Sequence, residues 1–168
     1  MGNSHPGREN GEPPVVGSAA SDSWGSASVC SRTAGGVMLV EVEGELGDAS
    51  ALRSWTELLN FAVTGGATGV TVDLRGCRVI DIGCLSTVVM ASGRLRERGD
   101  PGINLVMTPG SAMERRVGAS SANGLPGYSS AGEALRSLRD VAYTPRAPGG
   151  SASFLRRELL RGRCRSGT

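Results

Sequence analysis

Apolar residues recur along the central part of the chain with two different periods, which predict alternating strands and helices. Strands are predicted where apolar and polar residues alternate, or where a short apolar run lies between turn residues. Helices are predicted where apolar residues recur at every third or fourth position. The predicted strands are 27–33, 37–43, 70–74 and 103–107, and the predicted helices are 50–63, 83–98, a short one opened by Pro109, and 130–138.

The order of these elements favours a single α/β domain, with helices packed on a mixed sheet. A strand, a helix and a further strand form a crossover that lays the helix across the sheet. The glycine-rich residues 44–48 are predicted to end the second strand, and residues 75–78 to form a loop after the third. Asp48 or Ser50 is expected to cap the first helix, because its side-chain oxygen can accept a bond from an unpaired helix N–H.

Both ends of the chain differ in composition from its centre. Residues 1–26 are predicted to be a disordered extension, because they carry too little apolar surface to offset the entropy of ordering. The domain is expected to span 27–140, followed by a flexible Arg-rich tail at 141–168, in which 153–163 could form an amphipathic turn or two. From residue 146 onward, six arginines oppose one glutamate, a net charge of +5, which leaves −3 on the rest of the chain.

Composition and spacing argue against several classes of function. The cysteines have no zinc-site spacing and the one histidine lies in the polar N-terminus, so neither a metal nor a cofactor is expected. Without an 18-residue apolar run or a signal peptide, we expect no membrane span and a reduced, cytoplasmic protein with free thiols. No nucleophile–base pair or phosphate-binding loop is recognisable, so the protein is not expected to be an enzyme.

A single carboxylate has an unusual position at Asp81, between the apolar pair Val79-Ile80 and the helix predicted to start near Gly83. An aspartate immediately before a helix can cap it. The first half of the helix that follows is apolar over most of its circumference, so part of its surface either packs inside the domain or serves a partner, whereas its second half is strongly charged. The apolar residues concerned are Ile82, Leu85, Val89 and Met90.

The stretch from Val37 to about Leu138 resembles a STAS domain, the family of sulfate-transporter and anti-sigma-factor-antagonist domains. The resemblance implies a STAS-like mixed β-sheet with helices packed on it, and a regulatory protein–protein interaction module. The residues that carry it are Gly44-Glu45-Leu46, Val72-Asp73-Leu74-Arg75-Gly76, Val79-Ile80-Asp81, Leu85, Arg94-Leu95-Arg96-Glu97-Arg98-Gly99, Pro109 and Glu133-Ala134-Leu135.

In the anti-sigma-factor-antagonist branch of this family, the helix opens with a motif similar to Asp-Ser-Ser-Gly-Leu. The second serine is phosphorylated by a partner kinase that is also the anti-sigma factor, and the unphosphorylated form binds that kinase and frees the sigma factor. A phosphate at a helix N-terminus adds nearly two negative charges, which can repel a partner that fitted the neutral form. The resemblance therefore implies a bacterial regulator of transcription that binds a serine-kinase-like anti-sigma factor.

This chain differs from the motif at the phosphoacceptor, because it reads Asp81-Ile82-Gly83-Cys84-Leu85. Gly83 occupies the phosphoacceptor position and has no hydroxyl, so phosphorylation there is chemically impossible. Ser86 and Thr87 lie three and four positions later and are weak substitutes. The resemblance implies a partner-binding surface formed by Asp48, Asp81, Ile82, Gly83, Cys84 and Leu85.

Several alternatives stay open. Asp81 could serve only as a helix cap, and Cys84 could be a redox-active thiol at a helix N-terminus or, as we favour, a buried inert one. The protein could also be a small-molecule- or nucleotide-sensing adaptor, as some members of the family are. Nucleic-acid binding through the Arg-rich tail is less favoured, because the tail has no aromatic stacking platform and the rest of the chain is acidic.

Overall fold

The structure, a computed structural model, describes residues 18–142, which form a six-stranded sheet and four α-helices. The strands are β1 (Ser18–Trp24), β2 (Ala27–Ala34), β3 (Val37–Leu46), β4 (Gly69–Ile80), β5 (Ile103–Val106) and β6 (Gly127–Tyr128). The helices are α1 (Ala49–Thr64), α2 (Ile82–Glu97), α3 (Ala112–Gly118) and α4 (Ala131–Ala142), with a 3₁₀ turn at Ser121–Gly124. The Arg-rich tail from residue 143, with its amphipathic segment, and residues 1–17 lie outside the described part.

The strands lie side by side in their order along the chain, β1 to β6. β1, β2 and β3 are antiparallel, whereas β3, β4, β5 and β6 are parallel. The parallel pairs need crossovers, and α1 and α2 supply the first two of them. The predicted mixed α/β sheet is therefore confirmed. None of the helices in this part of the chain is both long and apolar enough to cross a membrane.

The two faces of the sheet are covered by different helices. α1 and α2 pack on one face, where the main core contains Trp55 and Leu85, both 0% exposed. On the other face, Leu135 of α4 packs in a smaller cluster with Leu39 of β3 and Val106 of β5. We call these the α1/α2 face and the α4 face.

β1 lies within the N-terminal extension that was predicted to be disordered, and the prediction is wrong for residues 18–26. The strand pairs antiparallel with β2, from Ser18 opposite Thr33 to Trp24 opposite Ala27. Trp24 is 9% exposed, and its ring meets that of Trp55 edge-on, with 6.4 Å between ring centroids. β1 is rich in serine and alanine, so its composition does not predict a strand. Pairing with β2 and the aromatic contact of Trp24 with Trp55 order it.

β3 and β4 are both longer than predicted. The break expected at 44–48 and the loop expected at 75–78 are wrong, because β3 runs to Leu46 and β4 to Ile80. These two terminal residues pair with each other. Strand pairing therefore continues to the point where both helices of the α1/α2 face begin.

Gly44 explains how β3 continues through a glycine-rich segment. It adopts a φ of +90°, and a Cβ there would lie 2.2 Å from the carbonyl oxygen of Ser26, so any larger residue would collide with the β1–β2 turn. The pairing with β4 changes register at this point, between Glu41 and Glu43 and again between Gly44 and Glu45, as in a β-bulge. The irregularity bends the ladder without ending it.

α3 begins later than predicted, so the expectation that Pro109 opens it is wrong. The helix starts at Ala112, and Ser111 caps it by accepting a bond on Oγ from the N–H of Glu114 at 3.1 Å. A serine cap was available two residues after the proline, and the capping bond decides where the helix starts.

We expect Trp24→Ala to lower the free energy of unfolding by about 3 kcal/mol, because it removes a nearly buried aromatic side chain that anchors β1. Urea unfolding followed by circular dichroism measures the change. Trp24→Phe keeps most of the aromatic volume and should lose less than half as much. An unchanged midpoint in Trp24→Ala would show that β1 does not belong to the cooperative unit.

Candidate functional site

The pairing of β3 with β4 places the starts of α1 and α2 side by side. Leu46 and Ile80 pair at the ends of their strands, and both are 0% exposed. The N–H of Asp81 donates to the carbonyl oxygen of Leu46 at 2.8 Å, which joins the start of α2 to the end of β3. Since both strands are parallel, Asp48 and Asp81 lie at the same edge of the sheet.

Both aspartates cap their helices, Asp81 as predicted and Asp48 as one of the two predicted alternatives, the other being Ser50. Oδ1 of Asp81 accepts a hydrogen bond from the N–H of Gly83 at 2.7 Å, and Oδ1 of Asp48 accepts one from the N–H of Ala51 at 2.7 Å. Each bond satisfies a backbone donor that has no acceptor within the helix, and each negative charge faces the positive end of a helix dipole. The capping role of both residues is therefore confirmed.

The β1–β2 turn borders the start of α1, a neighbour that the sequence reading missed. A Cβ on Gly25 would lie 2.4 Å from Oδ2 of Asp48, so a larger residue would force this carboxylate to shift. Gly25 has a φ of +61°, which also favours glycine. The contact was missed because residues up to 26 were placed in a disordered extension.

The first turn of α2 divides the predicted binding residues between surface and core. The side chain of Ile82 is 56% exposed and lies beside the half-buried Asp81. Cys84 and Leu85 are 0% exposed, so their side chains are not available to a partner, contrary to prediction. They pack in the core and support the exposed residues of this turn from below.

Gly83 is the point where α2 comes close to α1. A Cβ on Gly83 would lie 3.0 Å from Oδ1 of Asp81 and 3.4 Å from Cδ2 of Leu52 on α1. Both neighbours are side-chain atoms, which can shift by a few tenths of an ångström. The space at position 83 is therefore tight for a small side chain but could accommodate one. Gly83 itself has no side-chain hydroxyl.

The hydroxyls of Ser86 and Thr87 are both hydrogen-bonded within α2. Oγ of Ser86 donates to the carbonyl oxygen of Ile82 at 2.9 Å, and Oγ1 of Thr87 donates to that of Gly83 at 2.9 Å. These bonds direct both hydroxyls back into the helix one turn earlier. A phosphate on either residue would require its bond to break and would sit beyond the first turn, where the helix dipole is weaker.

Trp55 fixes the relative position of the two helix starts, a role that its apolar periodicity did not reveal. Its indole Nε1 donates to the carbonyl oxygen of Cys84 at 3.1 Å, in a buried position. The two residues are 29 positions apart, so no local pattern signals the bond. The indole therefore connects the middle of α1 to the first turn of α2.

The thiol of Cys84 is held in its protonated form. Burial and, less strongly, the negative charges near it, including those of Asp81 and Asp48, raise its pKa to about 11, against the smaller opposing effect of a backbone hydrogen bond at Asp81. Because the thiolate is the reactive species, the geometry favours the inert thiol over the redox-active one.

The remaining cysteines differ in state. Cys77 is a second free thiol, and burial raises its pKa as well. Cys30 on β2 is disulfide-bonded, so the expectation of free thiols is wrong for this residue.

An apolar stripe continues from Ile82 along the exposed side of α2. Met90 is 70% exposed, Val89 is half-buried, and Ser86 lies between them and Ile82. Residues four positions apart stack on one side of a helix, so Ile82, Ser86 and Met90 form one row. We call the set Asp48, Asp81, Ile82, Ser86 and Met90 the α2 surface.

No protein-family model matches the chain, and no curated protein matches it closely. Solved structures do match it. An anti-sigma factor antagonist from Mycobacterium paratuberculosis is 20% identical, with a TM-score of 0.54 over 68% of this chain and 96% of that one. The anti-sigma factor antagonist SpoIIAA in its unphosphorylated form is 16% identical, with a TM-score of 0.52 over 73% of this chain and 97% of that one.

A third match is a serine-to-glutamate variant of RsbS from Moorella thermoacetica. It is 19% identical, with a TM-score of 0.55 over 68% of this chain and 97% of that one. The matched structures are covered almost completely, so the shared part is the whole of their fold. The chain therefore has the STAS-like fold that its sequence resembled.

We expect Asp81→Ala to lower the free energy of unfolding by about 1 kcal/mol, because the N–H of Gly83 loses its acceptor. Asp81→Asn keeps an oxygen in the same place and should stay within about 0.5 kcal/mol of the original chain. Thermal or urea unfolding measures both variants. Equal losses in the two would mean that the charge of Asp81, rather than its capping bond, stabilises α2.

We expect Cys84 to react with iodoacetamide far more slowly in the folded protein than in urea. With a pKa of about 11, its thiolate fraction at pH 8 is on the order of one thousandth, and it should rise about tenfold per pH unit up to pH 10. Mass spectrometry of the labelled peptide gives the rate for this residue alone. Equal rates in folded and unfolded protein at pH 8 would restore the redox interpretation.

Proposed function

We propose that the protein is a regulatory interaction module of the anti-sigma-factor-antagonist type, which binds a serine-kinase-like anti-sigma factor and thereby controls transcription. The observation that carries the proposal is the exposed Ile82 beside the capping Asp81 at the start of α2. Its background is the fold shared with solved structures described as anti-sigma factor antagonists.

The α2 surface has the composition of a protein-binding patch. Ile82 and Met90 are the apolar part, and each leaves more than half of its side chain in contact with water. Asp48 and Asp81 supply charge at one end, as in interfaces with an apolar centre and a polar rim. A single exposed apolar side chain is ordinary, but two on the same side of one helix, beside two carboxylates, favour a partner.

The proposed binding does not depend on phosphorylation at position 83. Gly83 cannot accept a phosphoryl group, and the hydroxyls of Ser86 and Thr87 are bonded to the helix backbone. A partner kinase would therefore not release this chain by the route used by its phosphorylatable relatives. We propose that this protein competes with the sigma factor for the anti-sigma factor at all times. Its concentration then sets how much of the anti-sigma factor it occupies.

The other functions considered have less support. Nucleic-acid binding depends on the Arg-rich tail, which lies outside the described residues. A small-molecule-sensing role stays a prediction, since nothing in residues 18–142 favours it over protein binding. Among the described side chains, no group of three or more His, Cys, Asp or Glu is placed to hold a metal ion.

We expect Ile82→Asp to weaken binding to the cognate serine-kinase-like anti-sigma factor by at least about 30-fold, because a charge would replace the central apolar contact. Isothermal titration with purified candidates from the same cell measures the affinity. Phe61→Asp is the matched control: Phe61 is 67% exposed near the far end of α1, about 20 Å along the helix from Asp48. It should change the affinity by less than about twofold.

Equal weakening by the two variants would argue against the α2 surface, and no binding to any such anti-sigma factor would argue against the function itself. Preincubation with the kinase and Mg-ATP tests the absence of a switch. The affinity should stay unchanged, with no phosphate on Ser86 or Thr87. Phosphate on either residue, together with loss of binding, would contradict it.

A further inference from the structure

The α4 face of the sheet is only partly covered by the helices described above. α4 makes its main contacts with β4, β5 and β6. Alternate residues of a strand share a face, so Cys30 and Arg32 of β2 lie on the same side as Ala34, which belongs to the α4 cluster. On this face, β2 and β3 extend past α4, so their residues beyond the cluster, including Cys30 and Arg32, lie outside the area that the helix covers.

Two side chains in this outer part are nevertheless buried. Cys30 is 5% exposed and Arg32 is 9% exposed. Strands alone leave such a face open to water, and an arginine this deeply buried needs covering atoms. The contacts of α4 lie mainly on other strands, so the cover has to come from another part of the chain.

The cover also has to offer hydrogen-bond acceptors. Nη2 of Arg32 pairs with Oε2 of Glu41, but Nε and Nη1 are buried without an acceptor. Buried donors of this kind are costly unless a carbonyl or carboxylate reaches them. A segment of polypeptide laid across β2 would supply backbone carbonyl oxygens.

The cysteines identify which segment this is. Cys30 is disulfide-bonded, whereas Cys77 and Cys84 are free thiols. The chain has four cysteines, and the fourth is Cys164. Within one chain, Cys164 is therefore the remaining partner for Cys30.

We propose that residues 143–168 fold back over β2 and β3 on the α4 face, and that a disulfide between Cys30 and Cys164 anchors them there. α4 ends at Ala142 on this same face, so the segment begins beside the surface it would cover. The 22 residues from there to Cys164 can reach about 70 Å, whereas crossing from β6 to β2 requires about 20 Å. The segment's net charge of +5 also suits Glu41 and the exposed Glu43 on β3.

The bond forms by thiol–disulfide exchange with a low-molecular-weight disulfide. One protein thiolate attacks that disulfide and releases one small thiolate, and the second protein thiolate then attacks the mixed disulfide and releases the other. The two protein thiols lose two electrons and two protons, and the small disulfide is reduced to two thiols. A reducing compartment reverses the exchange and frees the segment.

The docked segment and the α2 surface lie on opposite faces of the sheet. The α1/α2 face carries Ile82 and Met90, and the α4 face carries Cys30 and Arg32. The docked tail therefore leaves the proposed partner site open, and the two proposals succeed or fail independently.

The test uses the full-length chain, unfolded in urea that already contains the alkylating reagent, so that the buried thiols of Cys77 and Cys84 are blocked as soon as they become exposed. A protease that cuts after glutamate, except before proline, releases residues 10–41 and 159–168, which carry Cys30 and Cys164. We expect mass spectrometry to find these two peptides joined, and to find them separate after dithiothreitol. We also expect trypsin to cut at Arg156 and Arg157 about tenfold more slowly than after reduction.

Cys164→Ser is the control, because it leaves the described domain untouched, whereas Cys30→Ser alters a buried position. It should be cut as fast as the reduced protein. Four alkylated thiols in the untreated chain would overturn the proposal. So would a joined pair found only in a species of twice the mass on a non-reducing gel, or tryptic rates that do not differ between the original chain and Cys164→Ser.

Discussion

The pairing of Leu46 with Ile80 is the constraint on which the site depends. Both side chains are fully buried, and the backbone bond from Asp81 to Leu46 extends the parallel ladder to the first residue before α2. If either strand ended where a glycine-rich segment would normally end it, the two helix starts would separate. The buried bond from Trp55 to the Cys84 carbonyl fixes the second direction, between the helices. The hydrogen bonds to the carbonyl oxygens of Leu46 and Cys84 thus hold the carboxylates of Asp48 and Asp81 at the carboxyl ends of β3 and β4.

Local sequence patterns correctly predicted the features that depend on residues close together in the chain. The helices α1 and α2 and the caps at Asp48 and Asp81 were recoverable, because apolar periodicity and capping depend on residues within one turn. The continuation of β3 past Gly44 was not, because it depends on a turn nearly 20 residues earlier that leaves no room for a side chain. β1 was missed for a related reason, since its order comes from its neighbour rather than from its own apolar content.

The site was predicted in outline but not in depth. Helical spacing could not decide which of the apolar residues after Asp81 face water, because α2 is apolar over so much of its circumference. Packing against α1 and the sheet buries Cys84 and Leu85 and leaves Ile82 and Met90 outside. A side chain at Gly83 would also crowd Asp81 and Leu52, so glycine suits the close approach of α2 to α1. The lack of a hydroxyl and the fit between helices are thus two properties of one residue.

The sequential order of the sheet also determines what its two margins can do. β1 and β6 are the edge strands, and each would offer unpaired backbone groups to a strand of another molecule. β6 is two residues long, and β1 carries the exposed Asp22 among serines, so neither strand favours pairing with a strand of another molecule. The three most exposed large apolar side chains of the described residues, Phe61, Ile82 and Met90, lie on helices and not on these edge strands. Both edges of the sheet therefore discourage polymerisation by strand addition.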